Sequence, residues 1–212
     1  EGYSPYSTQS ASVTPSTTAV APTSLTATYS DAQVSLSWTA PADNGGASVT
    51  DYAVQYSSNG GTTWTTFTDG TSTSSSATVT GLANGTAYVF RVAAINAAGT
   101  GSYSTPSTSV TPRTVPTAPL NLAGVKGDLQ VSLSWDAPSD AGGASITDYA
   151  VEYSSNSGTS WTVFADGTSS LTSTTVTGLT NGTAYIFRVR AQNSEGYSPY
   201  STQSASVTPS TT

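Results

Sequence analysis

Short runs of alternating apolar and polar residues, cut by Gly, Pro, Asn and Asp, pattern the chain throughout. Val34, Leu36 and Trp38 alternate with serines, which gives a half-buried strand over Gln33 to Thr39. Ala40-Pro41 ends it, because proline removes a ladder donor, and Asp43-Asn44-Gly45-Gly46 supplies a loop. The next strand, Ser48 to Ser57, turns Tyr52, Val54 and Tyr56 inward, and Asn59-Gly60-Gly61 leads into a fourth carrying Trp64 and Phe67. A first strand near Thr23 to Thr28, a fifth near Ala77 to Thr80 and a seventh over Ser104 to Thr111 complete the set. The sixth is the stretch from Leu82 to Asn96, where an Asn-Gly turn precedes Tyr88, Phe90, Val92 and Ala94 on one face. A leucine, a turn and a tyrosine opening a strand is the local form of a tyrosine corner, whose hydroxyl bonds back to the chain at a sandwich corner.

All of this recurs 97 residues later without a gap: Trp38 as Trp135, Tyr52 as Tyr149, Trp64 as Trp161, Leu82 as Leu179, Tyr88 as Tyr185. About 60 of the 97 aligned positions are identical, which makes the chain a tandem array. The expected organisation is residues 1–18, a first repeat over 19–114 and a second over 115–212. Residues 1–18 repeat residues 195–212 letter for letter, with Pro15, Pro112 and Pro209 in phase. They read as the last strand and tail of a preceding repeat, or as a strand donated to another molecule. Both complete repeats already own a last strand, so a donated copy would evict an identical one and gain no contacts. Glu1 is not an initiator, so the chain reads as a processed form or an excerpt.

Trp38, the Asp51-Tyr52 pair, Leu82, Tyr88, Asn96 and Gly99, with Pro22 and the partners 97 residues on, resemble the fibronectin type III domain. The Ser57-Ser58-Asn59-Gly60-Gly61-Thr62-Thr63-Trp64 hairpin is similar to bacterial versions of that family. The resemblance covers both repeats and implies an all-β chain of two tandem seven-stranded immunoglobulin-like sandwiches in an elongated arrangement. Aromatic residues that each bury roughly 150–250 Å² give each repeat a core without staples. The connector Thr111 to Pro119 holds three prolines, which favours a stiff link.

Composition then narrows the function. Only 8% of residues are charged, the net charge is -7 and there are five basic residues, which gives no nucleic-acid footprint. Histidine, cysteine and methionine are absent, so the commonest general base, thiol nucleophiles, disulfides and most transition-metal ligands are missing. No catalytic residue, cofactor or metal site is expected. The aspartates Asp43, Asp69, Asp140 and Asp166 sit in turns. Calcium at the Asp43-Asn44 loop is weakened by its counterpart Asp140-Ala141, which loses a ligand. No apolar run reaches the roughly 20 residues of a membrane span. The Ser/Thr-rich, Lys-poor composition points to the extracellular or cell-surface side.

Four smaller signals remain. Asn84-Gly85-Thr86 and Asn181-Gly182-Thr183 match the N-glycosylation pattern, although the turn needs Asn-Gly anyway. The Ser/Thr run Ser72 to Ser76 permits O-linked sugar. Lys126-Gly127-Asp128 resembles an integrin-binding tripeptide, but falls between the first and second strands of its repeat rather than between the sixth and seventh. Tyr103, Tyr197 and Tyr200, around the start of the seventh strand, form the candidate binding surface, for a sugar ring or, preferred, for the next domain. The chain is therefore expected to be a non-catalytic spacer, stalk or fibre module partnered by neighbouring copies of the repeat. The alternatives are an adhesion or carbohydrate-binding accessory module of a secreted polysaccharide-degrading enzyme, and a filament subunit joined by its N-terminal strand.

Overall fold

The computed structural model describes residues 2–211; Glu1 and Thr212, the outer ends of the first and last expected segments, lie outside the described residues. The chain forms two compact units. In the first repeat the strands are β1 (Thr23–Ser30), β2 (Gln33–Thr39), β3 (Asp51–Ser57), β4 (Thr65–Phe67), β5 (Ser76–Thr80), β6 (Val89–Asn96) and β7 (Gly99–Thr100). They make one sheet in the order β1-β2-β5 and a second in the order β4-β3-β6-β7. The second repeat uses β8 (Leu120–Gly127), β9 (Gln130–Asp136), β10 (Asp148–Ser154), β11 (Thr162–Phe164), β12 (Ser173–Thr177), β13 (Ile186–Asn193) and β14 (Gly196–Tyr197). Its sheets are β12-β9-β8 and β11-β10-β13-β14. No helix occurs among the described residues.

The sandwiches form because the inward phase of each strand is apolar. On β9, Val131, Leu133 and Trp135 are buried while the serines between them are exposed. They close on Tyr149, Val151, Tyr185, Phe187 and Val189 from the other sheet, with Trp135 edge-on to Tyr149 at 5.3 Å. Trp38 and Tyr52 repeat that contact at 5.1 Å. The tyrosine corner is present: Thr180 N–H donates to Tyr185 Oη at 3.2 Å. Nearby, Asn181 Oδ1 accepts from Leu129 N–H at 3.0 Å and its Nδ2 donates to Asp128 at 2.7 Å. Asn84 does the same with Ala32 and Asp31. Each asparagine thus ties the turn at β5–β6 or β12–β13 to the turn after the first strand, where Ala32 and Leu129 take left-handed φ of 50° and 54°. The Ser57 hydroxyl accepts from Asn59 and Gly61 N–H, and Asn59 reaches Thr63, so the β3–β4 hairpin is fixed from inside.

The seventh strand departs from the expected ladder over 104–111. Regular pairing stops at Thr100 and resumes only as a bridge between Tyr88 and Val110. Between them the chain winds so that three of its residues span two of β6. Ser104 and Ser107 donate their N–H to Val92 and Phe90 carbonyls, and their hydroxyls accept the N–H of the same two residues. The second repeat extends the device to three serines: Ser198, Ser201 and Ser204 bond to Ala191, Val189 and Phe187 in both senses. A winding chain presents its own carbonyls out of register with the ladder, and the hydroxyls replace them.

The segment before β1 is partly built into the first repeat. Residues 2–14 are exposed and unpaired in any ladder, with Tyr3 and Tyr6 as open as in an extended chain. From Thr17 onward this changes: Thr17 N–H donates to Gly45 O at 2.8 Å, and Asn96 Nδ2 donates to Thr17 O (2.8 Å) and Asn44 O (2.7 Å). In the second repeat Thr114 N–H donates to Gly142 O, and Asn193 Nδ2 reaches Thr114 O and Ala141 O, each at 2.8 Å. Thr17 and Thr114 are therefore each bonded to the sandwich that follows them in sequence. Gly45 and Gly142 permit the approach: at φ of 70° and 72°, a Cβ there would lie 2.1 Å from the Thr17 or Thr114 carbonyl oxygen.

Candidate binding surface

On the outward phase of β13 the residues between the core positions are Arg188 and Arg190. Arg188 sits opposite Glu152 of β10 in the register, and Arg190 opposite Ala150. The Arg188 guanidinium lies over the Trp161 ring at 4.2 Å and over Tyr200 at 3.9 Å. Arg190 lies over Tyr197 at 4.0 Å and over Tyr200 at 4.8 Å. The result is an alternating stack, Trp161, Arg188, Tyr200, Arg190, Tyr197, along one sheet face of the second repeat. Cations held over aromatic faces gain about 0.5–2 kcal/mol each, more where water is excluded.

Glu152 makes its direct bonds at one end of this stack, to Arg188 and Tyr200. Its Oε2 accepts from Arg188 Nε (2.8 Å) and Nη2 (2.5 Å), and its Oε1 accepts from the Tyr200 hydroxyl at 2.6 Å. Burial alone would raise the Glu152 carboxyl, but the Tyr200 hydroxyl, Arg188 and the nearby Arg190 charge outweigh it and hold it below its ordinary value. Tyr200 is pushed up, first by burial and then by the bond to the Glu152 carboxylate. Arg190 has no such carboxylate opposite it, and its Nε is buried without a hydrogen-bond partner.

The first repeat carries a shorter version. Arg91 lies over Trp64 (4.2 Å) and Tyr103 (4.3 Å), with Gln55 accepting from its Nε at 2.8 Å. Ala93 and Thr100 stand where the second repeat has Arg190 and Tyr197. All three tyrosines flagged in the sequence thus lie on this face, each ring against a guanidinium of its own repeat, and only Tyr197 is classed as exposed, at 41%. Arg91, Arg188 and Arg190 carry no signal of their own in the sequence, because the rings that sandwich them come from other segments of the chain.

The other candidates occupy structural positions. The Asn84 and Asn181 amides are engaged as described above, and Asp128 of the Lys126-Gly127-Asp128 tripeptide accepts from Asn181. Asp43 and Asp140 cap their own loops through Gly45 and Gly142 N–H. Among the described residues no cluster of three or more His, Cys, Asp or Glu could hold a metal, and no helix is long and apolar enough to cross a membrane.

The fibronectin type III domain profile matches residues 20–110 and again 117–207. The chain belongs to the fibronectin type III family. Among curated relatives, Exoglucanase B of Cellulomonas fimi is 33% identical over 209 residues, covering 93% of this chain and 18% of that protein. Human ephrin type-A receptor 6 is 28% identical over 196 residues (85% and 19%), and mouse cardiac myosin-binding protein C is 31% identical over 160 (75% and 13%). The chain thus spans less than a fifth of each of these relatives. The crystal structure of chicken CNTN1 FN1-FN3 domains shares the fold, with a TM-score of 0.52 at 23% identity, covering 91% of this chain and 67% of that one. Tandem fibronectin type III domains therefore occur in structural, receptor and enzyme-associated proteins alike.

Proposed function

We propose that this tandem fibronectin type III pair is a non-catalytic spacer of an extracellular or surface protein, setting distance between the parts it joins. The observation that carries the reading is the link. Gly85 N–H bonds the Pro112 carbonyl at the end of the first repeat, and Gly142 O already accepts from Thr114 at the start of the second. One residue, Arg113, separates those two bonded positions. Backbone bonds on both sides of Arg113, in a connector with three prolines, favour a stiff link, which suits a spacer better than a tether. The carboxylates of Asp43, Asp140 and Glu152 support it, because each is tied into structural bonds. The test is small-angle scattering on chains of two, three and four repeats. A spacer adds a constant increment to the maximum dimension per repeat; a dimension that grows with the cube root of mass overturns the reading.

A second reading has one specific support, the likeness to Exoglucanase B across 93% of this chain. In that reading the pair comes from a bacterial secreted polysaccharide-degrading enzyme and separates its functional domains. A catalytic domain in the same polypeptide, with activity on insoluble substrate that falls when the pair is deleted, would favour it. Unchanged activity after deletion would count against it.

A further inference from the structure

The second repeat differs from the first where its outer face carries charge: Glu152 replaces Gln55, Arg190 replaces Ala93 and Tyr197 replaces Thr100. These changes do more than decorate a stack. They add one cation and one carboxylate to the single cation of the first repeat, and the carboxylate makes its direct bonds to Arg188 and Tyr200. Arg190 is left with aromatic walls on both sides and no acidic residue opposite it in the register. The first repeat shows that the fold needs neither Arg190 nor Tyr197. We propose that Arg190, Tyr197 and Tyr200 form a binding site for a carboxylate-bearing sugar of an acidic polysaccharide.

Three features fit that ligand. The guanidinium edge is a fork of donors that matches a carboxylate in two parallel bonds. Tyr197 ends the stack and is 41% exposed, so it offers an apolar ring beside the fork. A uronic acid carries both complements, a carboxylate and a flat C–H face, on one ring. An acidic peptide side chain supplies the carboxylate alone. The net charge of -7 disfavours indiscriminate polyanion binding, so retention by an acidic polymer must come from a local site.

The test is affinity electrophoresis of the full chain in gels containing polygalacturonate, hydroxyethylcellulose or polyglutamate. Polygalacturonate should retard the protein, with little effect from the other two. Arg190→Ala and Tyr197→Thr install the residues of the first repeat, and each should weaken the polygalacturonate affinity at least tenfold, with unchanged tryptophan fluorescence reporting an intact core. Absence of retardation, equal retardation of wild type and both variants, or equal retardation by polyglutamate would each overturn the proposal.

Discussion

Ser201→Ala removes a single oxygen and tests whether serine hydroxyls complete the sheet. Ser201 Oγ accepts the Val189 N–H at 3.1 Å, while the Ser201 N–H donates to Val189 O at 2.8 Å. Alanine keeps the second bond and deletes the first. Val189 is fully buried, so its amide has no water to turn to. A net hydrogen bond contributes about 1 kcal/mol, and a buried donor left without a partner costs about 1–3 kcal/mol, so a loss of about 2 kcal/mol is expected. With a urea m-value of about 1–1.5 kcal/mol/M for a domain of this size, the midpoint of the second repeat should fall by about 1.5 M. Unfolding should be followed by NMR cross-peaks assigned to each repeat, since two domains need not melt as one. The first repeat then serves as an internal reference that should not move. Ser206→Ala, at an exposed position of the same segment, should stay within about 0.5 kcal/mol. If Ser201→Ala shifts the midpoint no more than Ser206→Ala does, the hydroxyl is not serving the sheet.

Other expectations follow from the same geometry. Asn193 is 3% exposed and makes three bonds, two from Nδ2 and one at Oδ1 from Glu195 N–H; Asn193→Ala should cost about 3 kcal/mol in the second repeat's urea transition, and an effect below 1 kcal/mol would show the clamp to be dispensable. Glu152 has a lowered carboxyl, so its contribution is present above the ordinary carboxylate range and is lost as pH falls from there through the lower folded value. Glu152→Gln should therefore destabilise the second repeat by about 1 kcal/mol at neutral pH and make its acid sensitivity in urea melts approach that of the first repeat, which has Gln55; an unchanged pH profile would contradict this. With or without residues 1–14, a cut that stops short of the Thr17 bonds, light scattering should give the monomer mass of each chain at every concentration; concentration-dependent growth of the full chain alone would instead reveal strand exchange.

Most of the sandwich was legible because burial in a strand has a period of two and the aromatic positions repeat it twice. Trp38, Tyr52, Tyr88 and Phe90 needed only their phase to be placed in the core. The seventh strand was not legible by the same rule. Its signal is a period of three, Ser198, Ser201, Ser204 and Val207, which a strand template reads as noise. That winding also carries Tyr200 from an expected loop position onto the sheet face. The stack was hidden for a different reason: arginines in the outward phase of a strand read as solvated unless the rings that sandwich them come from other strands. Asn96 and Asn193 read as family markers, but their bonds back to a segment 79 residues earlier in sequence have no local signal.

The spacer account depends most on the link being held from both sides, and 15N relaxation of the amides of Arg113, Thr114 and Val115 measures that directly. The account predicts order parameters near about 0.85, the level of the rigid strands β6 and β13. Values below about 0.6 across these residues would mark a loose tether and contradict it.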